Sequence, residues 1–185
     1  MDKTKIFAAV RTDEGLDAAL KTGVETIFMQ ATNIEEVGAQ IEKAHKAGKK
    51  LFIHIDITDG VGKDEYGIRF LQSLGADGII STRTNIIKQA KKLGLATCQK
   101  FFIVDTHSLS TTIDAIKVGK PDMIEVMPGL ISKVIKKIQE ETDTFVIAGG
   151  LLTTEEEMEK ALSDGAQGIS TSIRSLWSFK LINKH

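Results

Sequence analysis

A chain of 185 residues, 42% of them hydrophobic, holds enough apolar material for one core, and residues 1–185 read as a single domain. A net charge of −1 excludes attraction to nucleic acid through an overall basic field, so any such contact has to be local. No run approaches the ~20 apolar residues that a membrane span needs, no signal-like segment leads the chain, and the one cysteine, Cys98, has no partner for an internal disulfide. These features predict a cytoplasmic protein that makes no membrane contact.

In chain order, β-prone apolar runs fall at Lys5–Val10, Glu25–Met29, Lys50–Asp56, Gly78–Ser81, Thr97–Val104, Met123–Met127, Thr144–Ala148 and Gly168–Thr171. The intervals between them carry helical periodicity, as in Leu16, Ala19 and Leu20, in Val37, Ile41, Ala44 and His45, in Ile86, Ile87, Ala90 and Leu93, and in Ile131, Val134, Ile135 and Ile138. Gly23, Gly48, Gly75, Gly94, Gly119 and Gly165 each close an amphipathic stretch, which suits a left-handed residue releasing a helix into the next strand. Eight strands alternating with helices through short right-handed crossovers predict a compact (β/α)8 TIM-type barrel, smaller than the roughly 250 residues usual for that fold. A doubly wound open sheet is the competitor, but no glycine fingerprint opens the first unit.

Binding groups in such a barrel lie where strands pass into the following loops. In the third run, alternation places Phe52, His54 and Asp56 on the inner face and Ile53, Ile55 and Ile57 toward the helices. Barrel interiors are ordinarily Val, Ile and Leu, so an inward His and Asp are either a hydrogen-bonded structural pair or part of a site. The same logic sends Glu125 inward with Met123 and Met127, and Lys100 inward with Cys98 and Phe102. Lys100 and Glu125 therefore either neutralise one another on adjacent strands or face a ligand. Cys98 reads as a packed core thiol.

The last two strand ends carry the strongest pattern. Ala148-Gly149-Gly150-Leu151 and Ser170-Thr171-Ser172 combine two glycines, which admit close approach of backbone N–H groups to an anion, with a hydroxyl-rich turn before a final helical segment. Gly149, Gly150, Ser170, Thr171 and Ser172 are thus candidate phosphate-binding residues. His54, Asp56, Arg83, Lys100 and Glu125 are candidate contacts for the rest of the ligand. Arg83, after Ser81-Thr82, either reaches across the mouth or starts a helix. Thr106 or Ser108 is expected to cap the helix after the fifth strand, leaving His107 without a role. The four histidines are scattered without metal-ligand spacing, and no P-loop or nucleophile elbow occurs, so neither a metal nor a catalytic residue is assigned. Lysine clusters at 46/49/50, 88/91/92 and 133/136/137 are ordinary helix-end charges or local anion patches. The residues alone lead to a small barrel that takes a small phosphorylated polyol or sugar.

The stretches His54–Gly60, Gly78–Arg83, Gln99-Lys100, Asp105-Thr106, Glu125–Gly129, Ala148–Leu151 and Ser170–Ser172 resemble, nearly end to end, the glycerol-uptake operon antiterminator regulatory proteins. That resemblance implies a (β/α)8 barrel without catalysis that senses glycerol 3-phosphate as effector and acts on leader mRNA to prevent premature transcription termination. It also implies that Gly149, Gly150, Ser170, Thr171 and Ser172 hold the phosphate and that His54, Asp56, Lys100 and Glu125 face the glycerol hydroxyls. Lys100, Thr106 and Met127 depart from the arginine, serine and leucine usual there, and Met29–Asn33 lacks the expected glycine- and aspartate-containing turn. Tyr66, Trp177 and Phe179 are the aromatics left to serve as exposed RNA platforms. A homo-oligomer would be one way to assemble an RNA surface. The alternative is a phosphotriose- or phosphosugar-processing enzyme of aldolase or isomerase type, with Lys100 as nucleophile or base and Glu125 or Asp56 as acid/base.

Overall fold

The computed structural model describes residues 5–179. In chain order the strands are β1 (Lys5–Val10), β2 (Thr26–Met29), β3 (Thr32–Asn33), β4 (Lys50–His54), β5 (Thr58–Asp59), β6 (Gly78–Ser81), β7 (Ala96–Phe102), β8 (Met123–Met127), β9 (Phe145–Gly149) and β10 (Gly168–Thr171). Eight of them close a parallel barrel in the order β1-β10-β9-β8-β7-β6-β4-β2, and the two-residue strands β3 and β5 pair with each other apart from it. The helices between are α1 (Asp13–Leu20), α2 (Val37–Lys46), α3 (Glu65–Ser73), α4 (Thr84–Lys92), α5 (Thr106–Gly119), α6 (Ser132–Glu141) and α7 (Glu155–Ser163). This is the TIM-type barrel expected from the repeat.

The period of two decides which side chains fill the ring. Inward residues Phe7, Phe28, Phe52, Ile80, Cys98 and Ile147 form one buried cluster, with Phe7 and Phe28 ring centres 4.7 Å apart and Phe28 and Phe52 5.6 Å apart. Aromatic rings this large fit because the neighbouring strands offer Gly78 and Gly168, where an added Cβ would run into the Phe52 and Phe7 rings. The interior is therefore a solid plug below and open only above. Alternate residues, such as Ile27, Leu51, Ile53 and Ile79 on one side and Ile124, Val126, Val146 and Ile169 on the other, pack outward against the helices. The helices start where the chemistry dictates: Thr12 and Asp64 accept N–H bonds from Gly15 and Gly67, and capping boxes pair Asp105 with Ser108 and Thr154 with Glu157. The cap of α5 is thus Asp105 itself, with Ser108 reciprocating.

Four expectations need correction. The third strand ends at His54, because Ile55–Ile57 turn into a 3₁₀ helix, so Asp56 is not on the strand's inner face. The final helical segment is likewise a five-residue 3₁₀ turn, Arg174–Ser178. The fifth strand stops at Phe102, short of Val104. Of the six helix-end glycines, Gly48, Gly75, Gly94 and Gly165 have positive φ, Gly23 does not, and Gly119 is the last residue of α5, with Lys120 taking the left-handed position at φ 47°. Gly119 serves close approach instead: a Cβ there would lie 3.0 Å from Gln99 Oε1 and 3.1 Å from Thr84 Cγ2.

Candidate functional site

Above the aromatic plug, the strand ends enclose a cavity of about 480 Å³ lined by Ala9, Arg11, Gln30, Lys100, Phe102, Glu125, Met127, Gly150–Thr153 and Ser170–Ile173. The cavity occupies the β7, β8, β9, β10 and β1 side of the mouth and reaches the end of β2 through Gln30. Its floor is polar. Lys100 and Glu125 are register partners on β7 and β8, both buried, with Nζ 3.2 Å from Oε2. Lys100 also donates to Gln30 Oε1 at 2.6 Å, and since an ammonium can only donate, the Gln30 amide is oriented with Nε2 turned away from it.

Three floor atoms have no hydrogen-bond partner among the described residues: Gln30 Nε2, Glu125 Oε2 and Ser170 Oγ. The ion pair brings Lys100 close to Glu125 Oε2, yet its alignment does not make a hydrogen bond. Each of these residues is more than nine-tenths buried, at 7%, 2% and 2% exposure. Buried polar atoms are ordinarily paired, so a cluster of orphans around one cavity marks a place built to be completed by something else.

The rim comes from the β9 and β10 loops. Gly149 lets Glu125 lean across the end of β9, since a Cβ there would sit 2.6 Å from Glu125 Oε1. Gly150 and Leu151 follow with φ 69° and 60°, two successive left-handed residues that turn the chain outward beside the cavity. The Gly129 N–H donates to the Gly149 carbonyl at 2.6 Å, pinning this turn to the end of β8 after the cis Met127–Pro128 bond. Ser172 is exposed at the rim. Thr171 is not free to the same degree: its Oγ1 accepts from Ile173 N at 3.1 Å, and its carbonyl accepts from Trp177 Nε1 at 2.8 Å.

The remaining sequence candidates sit elsewhere. His54 is buried on β4 outside the cavity lining, with Nδ1 unpartnered. Burial and the nearby Lys100 ammonium lower its pKa to about 4, so its imidazole is neutral near pH 7. Asp56 faces Ser81 and Thr82: Ser81 Oγ donates to it at 2.8 Å, Thr82 N at 2.7 Å and Thr82 Oγ1 at 2.9 Å. Burial pushes that carboxyl up, but these donors outweigh it and leave the pKa lowered. Arg83 stands 3.8 Å from Asp56 and is half-exposed at the N-cap of α4. The structure thus brings Gly150, Ser170, Thr171, Ser172, Lys100 and Glu125 together at one cavity, with Gly149 beneath its rim, and sets His54, Asp56 and Arg83 apart from it.

Gln30 and Arg11 line the cavity without having been singled out in the sequence. Their signal was positional, since each is the first residue past a barrel strand. Cys98 is fully buried, and burial, with the Glu125 charge, holds its thiol well above the usual range. Trp177 is buried, at 3% exposure, and is no platform, whereas Tyr66 is exposed. Phe102, expected in the core, is 58% exposed at the cavity mouth.

Fold and site together define a compact (β/α)8 barrel with a polar, incompletely satisfied cavity at its strand ends. Residues 6–177 match the family model of the glycerol-3-phosphate responsive antiterminators, and the chain belongs to that family. Among solved structures it is similar to a glycerol uptake operon antiterminator regulatory protein from Listeria monocytogenes, at 31% identity and TM-score 0.90 over 96% of each chain. A glycerol uptake operon antiterminator-related protein from Thermotoga maritima aligns at 30% identity and TM-score 0.86, over 96% of this chain and 100% of that one. It is also 33% identical to the uncharacterised YgcP of Escherichia coli, over 94% of this chain and 91% of that protein. No helix of the described residues is long and apolar enough to cross a membrane.

Proposed function

We propose that this chain is a non-catalytic regulator that binds glycerol 3-phosphate in the strand-end cavity and, according to occupancy, acts on a leader mRNA to prevent premature termination in glycerol-utilisation genes. The observation that carries the reading is the convergence of Gly150, with Gly149 beneath it, and Ser170–Ser172 on one cavity whose floor leaves Gln30, Glu125 and Ser170 wanting partners. The phosphate sits at the two rim loops, near Arg11, and the glycerol hydroxyls reach down to Lys100, Glu125 and Gln30. His54 and Asp56, given to the hydroxyls by the sequence, act instead as structural neighbours of the site.

The enzyme alternative asks Lys100 to be a free amine. Its engagement by both Glu125 and Gln30 favours neutralisation over nucleophilicity. Likeness to a Coccidioides immitis protein described as a deoxyribose-phosphate aldolase, at 12% identity and TM-score 0.70, is likeness of fold alone.

For the RNA, the lysine clusters are not equal. Lys46 pairs with Glu42, Lys49 donates to the Thr22 and Val24 carbonyls, and Lys136 and Lys137 pair with Asp164 and with Glu140 and Glu141. Lys88, Lys92 and Lys120 have no ion pair among the described residues and, with Lys91, which Asp122 holds, they line a groove between α4 and α5. That groove is the local basic patch for phosphodiester contact.

Two measurements test the proposal. Glycerol 3-phosphate at 100 times its Kd raises the unfolding free energy by about 2.7 kcal/mol, and a folded protein whose melting ignores the ligand ends the proposal. Affinity for the leader transcript changes with ligand and falls, with a shallower salt slope, in Lys88→Glu/Lys92→Glu. An unchanged affinity moves the RNA surface off this groove.

A further inference from the structure

We propose that the cavity floor discriminates the oxidation level of its ligand, accepting a phosphorylated polyol and rejecting its carbonyl counterpart, with Glu125 as the residue that sets the preference. This rests on the phosphopolyol reading above and deepens it.

The floor is rich in donors: the Lys100 ammonium keeps protons beyond the one given to Gln30, and Gln30 Nε2 has two with no taker. It holds one demanding acceptor. Glu125 Oε2 is buried at 2% exposure; the Lys100 ammonium 3.2 Å away neutralises its charge but makes no hydrogen bond to it, so an incoming donor supplies the bond it lacks.

A ligand hydroxyl answers both demands at once, donating to Glu125 Oε2 while accepting from Lys100 or Gln30. A carbonyl oxygen at the same carbon accepts equally well but donates nothing. Its binding therefore shuts Oε2 away from water with the Lys100 ion pair but no hydrogen bond, and a buried acceptor left without its bond is costlier than a missing contact. Sites built on a hydroxyl hydrogen bond reject analogues that lack it for this reason. Ser170 Oγ does not impose the same filter, because a hydroxyl rotor adapts as donor or acceptor.

The experiment is calorimetric titration of the intact protein with glycerol 3-phosphate, dihydroxyacetone phosphate, glyceraldehyde 3-phosphate and inorganic phosphate, repeated on Glu125→Gln and Gln30→Met. At least one of the two carbonyl compounds is expected to bind about 10- to 100-fold more weakly than glycerol 3-phosphate. That deficit shrinks in Glu125→Gln, whose amide can donate to a carbonyl. Gln30→Met weakens alcohol and carbonyl alike and keeps their ratio. Equal affinity of all three carbon compounds for the wild-type protein overturns the inference while sparing the phosphopolyol reading, as does a deficit unchanged in Glu125→Gln. Should Glu125→Gln fail to fold, the wild-type comparison still decides. Absence of binding by every phosphorylated compound overturns the ligand reading and this inference with it.

Discussion

The two halves of the barrel mouth follow the same strand geometry and end in opposite ways. Over β2, β4 and β6, most polar groups satisfy one another, His54 Nδ1 and the cavity-facing Gln30 Nε2 excepted: Asp56 takes three hydrogen bonds from Ser81 and Thr82, Thr58 Oγ1 donates to the His54 carbonyl, and Thr32 donates to Gln40, which in turn donates to Asp13. The β3–β5 pair, Thr32-Asn33 with Thr58-Asp59, joins the loops after β2 and β4. Over β7 to β10, by contrast, Glu125 and Ser170 stand unsatisfied around an open cavity. Polar residues inside a barrel therefore do not by themselves mark a binding site. Whether their hydrogen bonds are already spent does.

The comparison breaks most visibly at the ion pair. Lys100→Met leaves Glu125 as an uncompensated buried charge and is expected to lower stability by about 3–5 kcal/mol in urea unfolding. It should also abolish the thermal response to glycerol 3-phosphate.

His54 sharpens the contrast through pH. Its folded pKa of about 4 lies below the ordinary 6.5, so between these values the unfolded chain binds the extra proton. Stability is full above pH 6.5, falls as pH drops toward 4 and levels off below, by a total on the order of 3 kcal/mol. His54→Gln removes that slope, which unfolding curves across this range will show, and leaves ligand affinity near wild type.

Gly149→Ala forces a methyl against Glu125 Oε1 and is expected to lose about 1–3 kcal/mol of stability together with most ligand affinity. Asp56→Asn has the smallest reach. It weakens the closed half by about 1–2 kcal/mol and leaves the calorimetric Kd unchanged. Because the Asp56 pKa is lowered in the folded state, the stability it contributes is present above the unfolded value of 3.8 and lost as pH falls through the folded one, and Asp56→Asn flattens the acid limb there.

Much of this was readable in the residues because a barrel strand alternates strictly. Lys100 and Glu125 could be aimed inward from period two alone, Ser170 was marked by its hydroxyl-rich strand end, and β1, β6, β8 and β10 begin and end where the apolar runs do. Asp56 could not be placed, since the 3₁₀ turn at Ile55–Ile57 changes the period one residue before it matters. The closed half was invisible because it depends on pairing two-residue segments far apart in the chain, too short to carry any periodicity. Gln30 escaped for a related reason: its role comes from Lys100 across the barrel, which no local pattern shows.

The one tryptophan of the chain is tied to the rim. Trp177 is buried, and its indole N–H ends on the Thr171 carbonyl, one residue from both Ser170 and Ser172. The molecule thus carries a built-in optical reporter on the loop where an anion would dock. Its emission is expected to be blue-shifted in the free protein and to change in intensity when that loop is engaged, giving titrations that need no label.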